Sequence, residues 1–298
     1  MGKPSADPSG HTAVRHVRVD TVAHIPQALD RMGLRRGRPV VVIVGGASGM
    51  DTEELGAIRE VLERDVLPLL ATYAAVIVDG GTNSGIMAAL GQAREASGLD
   101  VPLIGVAAEG TVAEPGTGRP GAAALEPRHT FAVLVPGDAW GDESPWLGHI
   151  ADAVAQDHPS ATVVVNGGEI TYTDAAASLS RGRPVIVLAG TGRTADAIAA
   201  ARSGQPADPR AVQIAGPALT KIVDYREIGP ALQAALLRPA PEVGCVRGDQ
   251  VGELVAGGAV RDRWPPAAGV DLAGSRLDGV EAGRQGAHAE IRGDAGEE

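Results

Sequence analysis

Short runs of consecutive apolar residues, each followed by glycines or polar residues, recur along most of the chain. They span residues 39–44, 74–78, 101–107, 130–135, 161–165 and 184–189. Runs of this length are typical of strands that are covered on both faces. Helical spacing follows several of them, as at Ile86, Leu90 and Ala93. Strands that alternate with crossover helices predict an α/β fold, a three-layer α/β/α arrangement with a mainly parallel sheet.

Weaker patterns complete this prediction. Residues 14–22 indicate an edge strand and residues 25–34 a short helix, whereas residues 212–215 and 222–223 are too short to assign. Asp51 is placed to cap a helix that we expect to end near Leu67, before Pro68. Further helices are expected at residues 145–155, about 173–180, 194–202 and 230–237. Residues 109–128 form a long loop rich in Gly and Pro, which is typical of functional or disordered segments.

These patterns divide the chain into three parts. Residues 1–38 carry an arm, the edge strand and the short helix, and residues 39–238 form the main domain. From residue 239 onward Gly, Ala, Pro, Arg and acidic residues follow one another without periodicity. We expect this acidic tail to be disordered or weakly ordered.

Charge and composition exclude several classes of partner. Of the 298 residues, 26 are Lys or Arg and 37 are Asp or Glu, so the formal net charge is −11. This acidic balance argues against nucleic acid or an anionic membrane as the main partner. The sequence has no apolar run long enough to span a bilayer, no signal-peptide pattern and a single cysteine, Cys245. We therefore expect a cytoplasmic protein without a membrane span, and a homo-oligomer is compatible with the sequence.

Four glycine turns follow buried strands, and they point to a phosphate ligand. The turns are Gly45-Gly46, Gly80-Gly81, Gly167-Gly168 and Gly190-x-Gly192. Backbone N–H groups at the start of a helix attract anions, and glycine lets a phosphate approach the backbone closely. Because the carboxyl ends of parallel strands meet at one edge of a sheet, the four turns should converge there. Arg193 follows the last turn and is a natural phosphate partner. The alternatives are that the glycines only allow close packing, and that Arg193 forms a surface ion pair with Asp196.

Other motifs are absent or incomplete. The chain contains neither the P-loop motif G-x-x-x-x-G-K-[ST] nor the nucleophile elbow G-x-S-x-G. Residues 190–195 fit G-x-G-x-x-A, but late in the chain and without a convincing acid about twenty residues on, which argues against an ordinary dehydrogenase. The seven histidines show no metal-ligand spacing, so we expect no metal site, and His129 is most simply a strand-edge residue.

Only 2% of the residues are aromatic, which makes each aromatic side chain informative. Trp140 lies in the acidic loop of residues 136–143, where it could stack on a base while Asp138 or Glu143 binds ribose hydroxyls. The alternative is an indole that covers the end of the core.

The order of these motifs resembles the SLOG superfamily, and most closely its prokaryotic LSDAT branch, the relatives of the N-terminal cytosolic domain of TRPM cation channels. The resemblance covers about residues 39–202. It is carried by residues 80–87, 129–131, 137–143, 166–168 and 190–196. The resemblance implies a Rossmann-like domain that binds ADP-ribose, NAD or a related nucleotide as a sensor, with no tightly bound cofactor.

The same superfamily contains LOG-type phosphoribohydrolases, whose motif is P-G-G-x-G-T-x-x-E. Residues 166–174 keep its first two glycines and its threonine, Thr171, and end in Asp174 where the motif has glutamate. As an alternative function, Asp174 or Glu169 could serve as the acid in cleavage of an N-glycosidic bond. Ile170 would crowd the backbone where the motif has its third glycine, so binding is favoured over hydrolysis.

The ligand-binding residues predicted in this way come from five turns and loops. They are Gly45, Gly46, Ser48, Gly80, Gly81, Thr82, Asn83, Gly85, Asp138, Trp140, Gly167, Gly168, Thr171, Gly190, Gly192, Arg193 and Thr194.

Overall fold

A computed structural model describes residues 14–46, 48–113 and 121–237 of the chain. The arm up to residue 13, the middle of the loop at residues 109–128 and the tail predicted from residue 239 lie outside the described residues.

The described residues contain eight strands, which form one sheet in the order β1-β5-β4-β3-β2-β6-β7-β8. All neighbouring strands are parallel. Their bounds are β1 (His16–Arg18), β2 (Val40–Gly45), β3 (Val76–Asp79), β4 (Leu103–Ala108), β5 (Phe131–Val135), β6 (Ser160–Val165), β7 (Val185–Leu188) and β8 (Thr220–Val223). The predicted parallel sheet is confirmed.

Helices cover both faces of this sheet. They are α1 (Ile25–Arg31), α2 (Thr52–Val61), α3 (Leu67–Thr72), α4 (Gly85–Ser97), α5 (Ser144–Ala155), α6 (Glu169–Ser180), α7 (Arg193–Arg202), α8 (Pro209–Ala215) and α9 (Ile228–Leu236). Helices α1, α5, α6, α7 and α8 pack on one face, and α2, α3, α4 and α9 pack on the other. Because β2 is apolar at every position, Val40, Val42 and Val44 enter the first core while Val41 and Ile43 enter the second.

The strand order reverses between β2 and β6. From β2 the chain moves outward through β3 and β4 to β5, and α5 then returns it to β6 on the other side of β2. Val40 accordingly pairs with Val76 of β3 on one side and with Ser160 of β6 on the other. In open α/β sheets, ligands bind at the carboxyl ends of the strands beside such a switch point.

The helix that follows Asp51 differs from its prediction. Asp51 caps it as expected, accepting the N–H groups of Glu53 and Glu54 at 2.9 Å each. The prediction that it ends near Leu67 is wrong, because a π-helical segment (Leu62–Val66) joins α2 to α3. In this segment the Leu67 N–H donates to the Leu62 carbonyl, five residues back. The wider turn accommodates Pro68, which has no N–H and would clash in a regular helix.

Helix α6 begins at Glu169, about four residues earlier than predicted. The residues that precede the predicted start include Ile170 and Thr171, whose β-branched side chains lower helix propensity. The early start has a functional consequence, since it places Glu169, Thr171 and Asp174 on the first turns of one helix.

Candidate functional site

A pocket of about 240 Å³ opens at the carboxyl ends of β2 and β6, next to the switch point. Eleven of the predicted site residues line it: Gly45, Gly46, Ser48, Gly80, Thr82, Trp140, Gly168, Thr171, Arg193 and the two candidate acids Glu169 and Asp174. Ile43, Val44, Met87, Glu143, Leu147 and Ile170 complete the lining. The structure therefore brings together residues from five separate stretches of the chain.

Eight predicted site residues are not part of this lining. They are Gly81, Asn83, Gly85, Asp138, Gly167, Gly190, Gly192 and Thr194. Two of them form hydrogen bonds that hold the turn after β6. The Thr194 hydroxyl donates to the Gly168 carbonyl at 3.0 Å, and the Gly167 N–H donates to Asn166 Oδ1 at 2.8 Å.

The amino end of α6 faces the pocket. Gly168, the N-cap residue, has no side chain that could cap the helix, and its own N–H donates to Thr171 Oγ1 at 3.1 Å. Helix geometry leaves the first N–H groups of α6, those of Glu169 and Ile170, without partners inside the helix. The positive end of the helix dipole and these N–H groups together favour an anion at this edge of the pocket.

Arg193 spans the mouth of the pocket between the β2 and β6 turns. Its Nη1 donates to the Ser48 carbonyl at 2.8 Å, and its guanidinium lies against Gly49 and Gly168. The salt bridges of the described residues do not include Arg193. An exposed guanidinium beside a helix amino end, without a carboxylate partner, is available to a phosphate.

Asp196 does not pair with Arg193; it closes the Gly190–Gly192 turn instead. Its Oδ1 accepts the Gly190 N–H at 2.6 Å and its Oδ2 accepts the Gly192 N–H at 3.1 Å. These two N–H groups, and the positive end of α7, are therefore already neutralised by a carboxylate within the chain. Of this turn, only Arg193 reaches the pocket.

A buried chain of charged groups holds the Gly80–Gly81 turn. Asp79 Oδ1 accepts the Gly81 N–H at 2.8 Å and lies 2.8 Å from His129 Nε2. The other ring nitrogen of His129, Nδ1, is 2.9 Å from Glu126 Oε2, and Glu126 also pairs with Arg128 at 3.0 Å. The Glu126 N–H in turn donates to the Gly81 carbonyl at 2.9 Å. These contacts hold residues 126–129 against the turn after β3, beside the pocket.

The interpretation of His129 as a strand-edge residue missed this cluster. The side chains of His129, Asp79 and Glu126 are all almost fully buried. Burial by itself lowers the pKa of His129, but the two carboxylates outweigh it and raise the pKa to about 9. The imidazole is therefore a cation at neutral pH and can donate to both carboxylates at once.

Two carboxyl groups lie at the inner end of the pocket. Asp174 is only 8% exposed, and its Oδ1 has no hydrogen-bond partner among the residues that the structure describes. Burial raises the pKa of Asp174 to about 7; the nearby Ser144 hydroxyl opposes this shift and the charge of Glu143 adds to it. Burial also raises the pKa of Glu143, whose Oε2 accepts the Gly141 N–H at 3.0 Å. Perturbed carboxyl groups in a pocket are frequent at functional sites.

Glu169, the other candidate acid, has a different environment. Its side chain is 81% exposed and pairs with Arg210 at 2.6 Å. Arg210 also stacks on the Tyr172 ring, 4.3 Å from its centre. These contacts turn the Glu169 carboxylate outward, whereas Asp174 lies inside the pocket.

Trp140 and apolar side chains form the remaining wall. Trp140 is 43% exposed, and the neighbouring Gly141 packs against Ile170. Asp138, predicted to bind ribose, is exposed outside the pocket, and Glu143 from the same loop lies inside it. The apolar wall has no local signal in the sequence, because residues such as Ile43 and Leu147 look like any other core positions.

Neither a metal site nor a membrane span is found in the described residues. No group of three or more His, Cys, Asp or Glu side chains there could hold a metal ion. None of the helices described is both long and apolar enough to cross a bilayer.

Comparison with known protein families gives a match. The family model for prokaryotic LSDAT domains, described as "SLOG in TRPM, prokaryote", matches residues 38–231. This segment contains β2 through β8 and every residue that lines the pocket. No curated protein matches the chain.

Proposed function

The chain belongs to the prokaryotic LSDAT family of SLOG domains, and from this premise we propose that its pocket binds ADP-ribose, NAD or a related nucleotide as a sensor. Membership of the family indicates a nucleotide-related ligand. The choice among such ligands rests on the chemistry of the pocket.

The observation that carries the proposal is the division of the pocket into two chemically different ends. One end presents the amino end of α6 and the guanidinium of Arg193, which suit a phosphate or a diphosphate. The other presents Glu143 and Asp174, whose oxygens suit sugar hydroxyls. Trp140 stands at the mouth, where its exposed ring can stack on a base.

The size of the pocket fits part of such a ligand. Small-molecule sites usually enclose roughly 300–1,000 Å³, and this pocket encloses about 240 Å³. A phosphate and the adjoining sugar would occupy the enclosed volume, and the rest of a dinucleotide would extend past Trp140 along the open side.

Calorimetry on the full-length chain with ADP-ribose, NAD and AMP tests the proposal. Arg193→Ala should weaken binding by about 10- to 150-fold, because a charged hydrogen bond to phosphate is worth about 1.5–3 kcal/mol. Arg35→Ala, which removes an exposed arginine that precedes the amino end of β2, whereas the pocket lies at the carboxyl end of that strand, is the matched control and should bind like the wild type. Equal affinities of all three proteins would remove Arg193 from the site, and no heat with any nucleotide would refute the proposal.

A second function is favoured by the buried carboxyl at the inner end. Asp174 could protonate the leaving group of an N-glycosidic bond while Glu143 stabilises the positive charge that develops on the ribose. Chromatography of the calorimetry samples distinguishes the two functions: unchanged ligand supports sensing, and released base or nicotinamide supports hydrolysis. Loss of product formation in Asp174→Asn, with binding retained, would assign the acid.

A further inference from the structure

The inner end of the pocket brings two carboxyl groups together, and no cation among the described residues pairs with them. Asp174 Oδ1 and Ser144 Oγ are both buried and lack hydrogen-bond partners within the described part of the chain. Glu143 lies on the same side of the pocket, and apolar side chains, including Val44 and Leu147, fill the space around it. Unpartnered buried oxygens are costly to a protein unless a ligand satisfies them.

The charged groups on the surrounding elements do not neutralise Asp174. On α6 itself, Glu169 points outward to Arg210. Arg183 lines a small cavity of about 10 Å³ behind Asp174, but its guanidinium pairs with Asp152. Arg193, on α7, donates a hydrogen bond to the Ser48 carbonyl at the mouth of the pocket. Glu143, next to α5, adds a second negative charge.

We propose that Asp174, with Glu143 and Ser144 beside it, forms a proton-linked subsite for a sugar hydroxyl of the ligand. The hydroxyl donates a hydrogen bond to the Asp174 carboxylate, and the proton that this carboxyl holds in the free protein leaves to the buffer. The subsite rests on the nucleotide-binding function proposed above and specifies which end of the ligand lies innermost.

The direction of the pH dependence follows from this exchange. Near neutral pH the free protein holds a proton on Asp174, because burial raises its pKa to about 7. A hydrogen bond from the ligand stabilises the charged form and lowers the pKa in the complex. Binding below pH 7 must therefore expel the proton, and the affinity rises as the pH rises until Asp174 is already ionised in the free protein.

Neither of two other groups with shifted pKa values, His129 and His149, produces this profile. His129, with a pKa of about 9, titrates above this range and does not line the pocket. His149 faces Arg181 and Asp152, and burial lowers its pKa below the usual value for histidine. The diphosphate of ADP-ribose keeps its charge across this range, so it contributes no slope.

The experiment is calorimetric titration of the full-length chain with ADP-ribose between pH 6 and pH 8, in buffers of different ionisation enthalpy. The affinity should rise by about tenfold over this range, with about one proton released per ligand at pH 6 and almost none at pH 8. Asp174→Asn should bind with an affinity that does not change with pH. Asp157→Asn, the same substitution at an exposed position, should keep the wild-type slope.

A second probe separates the two ends of the pocket. Sulfate has no hydroxyl group and does not change its charge between pH 6 and pH 8. Its affinity, measured by competition with ADP-ribose, should therefore not change with pH over this range. A wild-type affinity for ADP-ribose that stays flat or falls with rising pH would overturn the subsite while leaving nucleotide binding in place. If ADP-ribose does not bind at any pH, the nucleotide function fails and the subsite fails with it.

Discussion

His129 should stabilise the protein through its charge, and this effect can be measured without any ligand. The imidazole lies between Asp79 Oδ1 at 2.8 Å and Glu126 Oε2 at 2.9 Å. A neutral ring could donate to only one of these carboxylates and would turn a lone pair toward the other. The folded state therefore binds the proton more tightly than the unfolded state does.

The size of the effect follows from the pKa. Folding raises the pKa of His129 from an ordinary value of 6.5 to about 9, and each unit corresponds to about 1.4 kcal/mol, so the cation contributes roughly 3 kcal/mol to the free energy of unfolding. Because the folded-state pKa is raised, this contribution is complete below pH 6.5. It is lost as the pH rises through about 9.

Urea unfolding of the wild type and of His129→Gln at pH 7 and pH 10 measures this contribution. At pH 7 the variant should be less stable by about 3–5 kcal/mol, because it leaves the buried Asp79 carboxylate without a cation and leaves Glu126 with Arg128 alone. At pH 10 the difference should shrink by roughly 3 kcal/mol, because the wild type has then lost its cation too. Every other titratable group is common to both proteins, so its contribution cancels in the comparison.

A control variant and a direct titration of the imidazole test this prediction further. His16→Gln removes an exposed histidine of β1 and should show no such pH-dependent difference. Nuclear magnetic resonance titration of the wild-type imidazole should give an inflection near pH 9. A stability difference that is the same at pH 7 and pH 10, or an imidazole that titrates near its ordinary pKa, would refute the assignment of His129 as a buried cation.

Three other substitutions, one of them paired with a control, test the surroundings of the pocket. Gly81→Ala should destabilise the fold by roughly 2–5 kcal/mol in urea unfolding, because Gly81 has a φ of +69° and a Cβ there would lie 2.8 Å from the Cα of Gly105. Gly56→Ala, in an open helical position, should be neutral or slightly stabilising. The folded-state pKa of Asp174 is raised, so the free energy of unfolding of the wild type, compared with that of Asp174→Asn, should fall by roughly 2–4 kcal/mol between pH 4 and pH 8. A difference that stays constant with pH would show that this carboxyl titrates normally. Asp196→Ala should lower the melting temperature through the loss of about 0.5–2 kcal/mol, and an unchanged melting temperature would mean that the glycine turn does not need its carboxylate.

Local patterns were sufficient to predict most of the elements. Strands such as β2 and β6 are short and mostly apolar, and glycine follows each of them within two residues, a combination that favours a buried strand before a turn. The cap at Asp51 was also predicted correctly, because capping depends on side chains two and three residues away. The errors occur where packing overrides local preference. Helix α3 continues past Pro68, and α6 begins among β-branched residues.

Predicting the pocket required knowledge of the strand order. Each of the four glycine turns has the same local pattern, yet the Gly190–Gly192 turn is closed by Asp196 while the amino end of α6 remains open to the pocket. Both helices carry an acid in their first turn, but Asp196 is the fourth residue after its N-cap, Gly192, and Glu169 is the first after Gly168. Their side-chain directions differ, since Glu169 is drawn outward by Arg210, which lies 41 residues further along the chain.

The sequence by itself determined the alternation of buried strands and helices, the family resemblance and the candidate acid Asp174, because these depend on residue type and short-range spacing. Only the tertiary structure decided which turns share one pocket, which of the two acids Asp138 and Glu143 lines it, and that His129 lies between two carboxylates. These relations depend on which strands become neighbours: Asp79 and His129 are 50 residues apart in the chain and meet only because β4 brings β3 and β5 to its two sides.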